Sequence, residues 1–184
     1  MGPEAWNEVA SAVVSRLGRD PQGDFSITRF LGPNGYSGLS PAGKALLFRS
    51  TGQEKLASAL DDIALVTSRI EDKLAQFYNP SGTGKSLAAT GTVLGILHSP
   101  IKTLSTIIGG NRLAKILSEP ATAQATASWI NSYRNALTAP HAKSTAAYRR
   151  ASEQLAGLIV RESGGNPSLL AAQLAGTAAV SEAQ

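Results

Sequence analysis

From Gln53 to Tyr78 one row of positions alternates spacings of four and three residues without a slip: Leu56, Leu60, Ile63, Thr67, Ile70, Leu74 and Phe77. That period puts the whole row on one face of an α-helix and gives it a seam another helix must cover. A helix of this length spans roughly 40 Å at 1.5 Å per residue, long enough to organise a small domain. The covering helix comes either from the same chain or from a second copy. If from a second copy, Leu56, Leu60, Ile63, Ile70, Leu74 and Phe77 are the oligomerisation surface.

The flanking sequence predicts more helices and no strand. Pro3 opens a stretch with Trp6, Val9, Val13, Val14 and Leu17 on one stripe, which Gly18 ends. "RDPQGDF" and "GPNGYSG" carry loop chemistry, with a short helical turn between them over 26–31. Ser40-Pro41 starts a short helix through Phe48. Ser99-Pro100 starts another that Gly109-Gly110 breaks, and Asn111 is placed to cap the next. A helix from Ser118-Glu119-Pro120 runs past Trp129 and Tyr133 to Leu137, "TAPHAKST" is a loop, and 146–161 is helical. No segment alternates as a strand does. The expected class is all-α: a multi-helix bundle with one long amphipathic helix, a helical domain over 1–162 and a flexible tail over 163–184.

Charge is distributed unevenly along the chain. Residues 1–72 hold seven Lys/Arg and nine Asp/Glu, residues 73–152 nine and one, and residues 153–184 one and three. A field of one sign on the middle segment attracts polyanions in a salt-dependent way. In the acid-free run from Pro120 to Ser152, Trp129 and Tyr133 stand close to Arg134. Such a mixture stacks on bases and neutralises phosphates when exposed, and packs as core when it is not.

Two motifs suggest enzymes. In "NPSGTGKS" the residues Gly84-Lys85-Ser86 resemble the end of a phosphate loop, but the full motif needs glycine where Asn79 stands, and a strand where "KLAQFY" forms part of a helix. The glycines predict a tight interhelical turn, with Ser81 or Ser86 as cap. "ESGGNPS" from Glu162 resembles the segment bearing the catalytic acid of lytic transglycosylases, in which a carboxyl cleaves peptidoglycan glycosidic bonds. Only 22 residues follow Glu162, so the alternative account is a helix end followed by a new helix at Pro167.

Cysteine is absent, which excludes thiolate metal and disulfide chemistry. His98 and His141 have no acidic neighbours at ligand spacing, and no Ser, His and Asp set suggests a nucleophile. No catalytic residue, cofactor or metal is therefore expected. Ser86 to Ile101 is apolar, but its sixteen residues are fewer than the roughly 20 that span a bilayer. Membrane insertion of the hairpin over 86–108 stays open as an alternative to soluble packing.

The order of these pieces carries a resemblance. "VVSRLGRDPQGDFSITRFL", "LSPAGKALLF", "LDDIALVTSRI", "YNPSGTGKS" and "LAKILSEPATAQATASWINSY" occur in that order over about Trp6 to Leu137. Together they look like a segment of the large internal virion proteins of short-tailed bacteriophages, which resemble DNA-ejection or DNA-transfer components. The resemblance implies a structural protein packed in the capsid, delivered to the host envelope, and assembled with copies of itself and other virion proteins into a conduit for the genome. Members of that family are longer, so the chain is expected to be an excised or a separately made piece. Basicity and resemblance together predict weak, sequence-blind DNA contact through Lys85, Lys102, Arg112, Lys115, Arg134, Lys143, Arg149 and Arg150. The competing expectations are a transglycosylase fragment using Glu162 and a helical scaffold without DNA contact.

Overall fold

A computed structural model of the chain describes residues 3–49, 52–78 and 99–179. Among them are nine α-helices and no strand; the one β-type pairing is an isolated bridge between Arg19 and Phe25. The helices are α1 (Pro3–Gly18), α2 (Ile27–Phe30), α3 (Pro41–Lys44), α4 (Glu54–Tyr78), α5 (Pro100–Ile108), α6 (Gly110–Ser118), α7 (Pro120–Thr138), α8 (Ala142–Ser163) and α9 (Pro167–Ala179).

α7 is the axis of the fold. Along it Thr122, Ala123, Ala125, Thr126, Ala127, Trp129, Ile130 and Tyr133 are buried, an arc of more than half its circumference. α4 packs on one flank of α7 and α8 on the other, and α9 covers α8. Ala127 lines a groove with α4, while Trp129 meets α8. The two positions are about 200° apart round the helix, which sets the flanks on opposite sides. α1, α6 and α5 close the remaining side.

The two flanks are joined by different chemistry. Leu56, Leu60, Ile63 and Ile70 of α4 are all at most 3% exposed and belong to the core. This corrects the reading of these four residues as an oligomerisation surface: the chain's own core fills the seam as far as Ile70. The side chains of Leu74 and Phe77 lie outside the described residues. On the other flank the indole Nε1 of Trp129 donates to Ser152 Oγ at 3.1 Å, and Ser152 donates to the Tyr148 carbonyl at 3.0 Å. Tyr148 stacks on Trp129 at 6.2 Å between ring centroids and meets Tyr133 at 5.6 Å. Its hydroxyl donates to the Leu174 carbonyl, which ties α9 to the cluster.

Several helix ends differ from the sequence expectation for local reasons. α8 begins at Ala142, four residues earlier than expected. His141 caps it, its Nδ1 accepting from the Ser144 N–H at 3.0 Å while Ser144 Oγ accepts from the His141 N–H at 3.1 Å, a reciprocal pair usually built from Ser and Glu. α6 begins at Gly110, so Asn111 is inside the helix and is not its cap; Gly109, at φ 84°, makes the break. A Cβ on Gly110 would lie 2.2 Å from the Phe25 carbonyl oxygen, so only glycine permits this approach. After α3, capped by Ser40 Oγ at 3.1 Å from the Gly43 N–H, residues 45–49 form a π-helical turn instead of continuing the helix. The helix at Pro167 is longer and better packed than a flexible tail, with Leu170, Ala171 and Leu174 in the core.

Candidate nucleic-acid interface

The predicted basic residues fall on four helices. On α6, Arg112 and Lys115 are exposed at a spacing of three, on the side away from buried Leu113 and Leu117. On α7 the single charged residue is Arg134, half-buried, with its guanidinium 3.4 Å from Asn135 Oδ1. On α8, Lys143, Arg149 and Arg150 are exposed. On α5, Lys102 is bound to Glu71 of α4 at 2.9 Å, so its charge is already matched. Lys85, like the whole "NPSGTGKS" turn and His98, lies outside the described residues.

α8 holds a feature the sequence reading missed. Lys143, Arg150 and Arg161 are 7 and 11 residues apart, and 18 residues close five helical turns, so all three project from one line. That line is opposite the buried face of Tyr148, Ser152, Leu155 and Ile159, and all three side chains are exposed. Starting α8 at Ala146 left Lys143 in a loop and hid the alignment. The spacing itself was visible. Arg149 instead turns toward α9, where it and Glu153 line a cavity of about 340 Å³ with Ser168, Ala171, Ala172 and Ala175.

Trp129 and Tyr133 are fully buried, so neither is available to stack on a base. The Tyr133 hydroxyl has no hydrogen-bond partner among the described residues. Burial, with the Tyr148 phenol beside it, pushes its ionisation well above the ordinary tyrosine value.

The segment around Glu162 is a corner between two helices. Gly164 and Gly165 take positive φ angles of 71° and 116°, and Asn166 Oδ1 accepts from the N–H groups of Ser168 and Leu169 at 2.9 and 3.2 Å, capping α9. Pro167 opens that helix, where its missing N–H costs nothing. The turn accounts for Gly-Gly-Asn-Pro without a catalytic role; the Glu162 side chain lies outside the described residues.

A second groove, of about 280 Å³, lies between α4 and α7 and is lined by Lys55, Ser58, Asp62, Gln124, Ser128 and Asn131. Among the described residues there is no group of three or more His, Asp or Glu side chains able to hold a metal ion. No described helix is long and apolar enough to cross a membrane. Compared with family models, with curated proteins and with solved structures, the chain matches none.

Proposed function

We propose that this chain is a structural, non-enzymatic protein that contacts DNA without regard to sequence, as a component of a conduit for genome transfer. One observation carries the DNA contact. Arg112, Lys143, Arg149, Arg150 and Arg161 are exposed and form no ion pair with any described residue, whereas Lys44 and Lys102 are matched by Asp61 and Glu71. Unmatched exposed cations on rigid helices exchange their counterions for phosphates, and such binding weakens steeply with salt. Two further features support a sequence-blind mode. The aromatic side chains beside the basic run are buried, and α6 and α8 present their cations from packed helices. Contact is then made with the phosphate backbone, which positions without reading bases.

The conduit role follows from the resemblance to internal virion proteins of short-tailed phages. On that reading the chain belongs in the capsid interior and then at the host envelope, with copies of itself and other virion proteins as partners. Filter binding of two duplexes of unrelated sequence across ionic strengths tests the DNA contact. Equal affinities that fall together with salt are expected; a strong preference for one duplex, or binding indifferent to salt, refutes it. A peptidoglycan zymogram with Glu162→Gln as control tests the absence of catalysis. Clearing by the wild type that the substitution abolishes would replace this reading with a transglycosylase.

A further inference from the structure

The outer line of α8 has a counterpart on α4. Along the face of α4 turned away from the core, Glu54, Asp61 and Asp72 are 7 and 11 residues apart, the same spacing as Lys143, Arg150 and Arg161. Each set spans 18 residues, so each forms a straight row with steps of about 10 and 16 Å. Leu65, 50% exposed, sits in the longer interval on α4, and exposed Gln154 sits at the matching place on α8. Residues of the wrong sign, Arg69 on α4 and Glu153 on α8, lie about 70° round their helices from the rows. One row is therefore acidic, the other basic, and they match in register when the helices run parallel. In the antiparallel direction the middle pair is out of step by four residues, about 6 Å.

We infer that the acidic row of α4 docks against the basic row of α8 of a second copy of this chain. Charge complementarity at the two ends of the rows, Glu54 with Lys143 and Asp72 with Arg161, identifies the occupant, and the fold fixes the kind of assembly. α4 and α8 flank α7 on opposite sides and turn their rows away from it, so one partner cannot cover both. The contact is heterologous, and repetition gives a ring when the rotation closes and a filament when it does not. The central pair is the weakest, because Asp61 already holds Lys44 at 2.7 Å and accepts from the Tyr36 hydroxyl at 3.1 Å. Exposed ion pairs are individually weak and screened by salt, so the association is expected to be modest and to dissolve in high salt.

This inference goes beyond the proposed function and does not need the resemblance. It also sharpens the DNA contact: with Lys143, Arg150 and Arg161 engaged between copies, Arg112 and Arg149 remain for phosphate.

Two exchanged variants test it. One carries Lys143→Glu, Arg150→Glu and Arg161→Glu; the other carries Glu54→Lys and Asp72→Lys and leaves Asp61 with its internal partners. All five positions are exposed, and circular dichroism checks that each variant is folded. Sedimentation velocity at low salt should show association of the wild type, monomers of each variant alone, and restored association when the two variants are mixed. About 1 M salt should dissolve both assemblies. A wild type that stays monomeric at low salt overturns the inference, as does a variant that associates alone or a mixture that fails to assemble. A basic-row variant that associates normally but loses DNA binding would assign that row to nucleic acid and equally overturn it. The DNA contact itself is judged separately, by filter binding of Arg112→Glu/Arg149→Glu.

Discussion

The two flanks of α7 bury similar lengths of helix in different ways. The α4 flank relies on aliphatic side chains that fit by shape and have no directional demand, with Leu60 and Ile63 fully buried. The α8 flank combines stacked rings with a chain of hydrogen bonds from Trp129 through Ser152 to the backbone at Tyr148. A seam of the first kind tolerates any complementary apolar surface. A cluster of the second kind specifies one partner and one register, because a displaced ring leaves buried polar atoms without partners. The difference teaches which signals a sequence displays: periodicity announces the first flank, and nothing local announces the second.

The largest expected effects test whether both flanks are internal. Trp129→Ala should lower the free energy of unfolding by about 4 kcal/mol and Ile63→Ala by about 3 kcal/mol in denaturant titrations. The Ile63→Ala loss should be independent of protein concentration. A loss that grows on dilution would mean that a second copy covers the α4 seam.

The hydroxyls of the aromatic cluster sharpen the contrast. Tyr148→Phe removes the donor to the Leu174 carbonyl and should cost about 1.5 kcal/mol. His141→Ala removes the cap of α8 and should cost about 1 kcal/mol, with faster amide exchange confined to its first turn. Tyr133→Phe should leave stability unchanged or raise it, because its hydroxyl is buried without a partner. Its raised ionisation gives that residue a pH signature. A phenol harder to ionise in the folded state contributes full stability below the unfolded value of about pH 10, and loses it as the pH rises further. The wild type should therefore weaken between about pH 9 and 11 more than Tyr133→Phe does, as measured by denaturant titration at both values.

The α4 helix, its length and its buried face were legible because a strict alternation of four and three over 22 residues leaves no other solution. What covers that face was not, since aliphatic seams carry no address. The starts of α2 and α3 followed from the capping Ser26 and Ser40, those of α5 and α7 from Pro100 and Pro120, and the end of α5 from Gly109. α8 was misjudged because a histidine caps it; imidazole is an uncommon cap, and its role depends on Ser144 returning the hydrogen bond. The same four-residue error concealed the row formed by Lys143, Arg150 and Arg161. Lys102 was grouped with free cations because its partner, Glu71, is 31 positions away, a pairing that only the tertiary fold creates.

The central claim is that exposed, unmatched cations on packed helices meet DNA phosphates without reading sequence. Its most direct test is the slope of log K against log salt for a random-sequence duplex, measured for the wild type and for Arg112→Glu/Arg149→Glu. A linear fall is expected, with the slope shallower by about 2 in the double variant, since each phosphate contact contributes about 0.9. A wild-type affinity flat in salt, or a double variant with an unchanged slope, would contradict it.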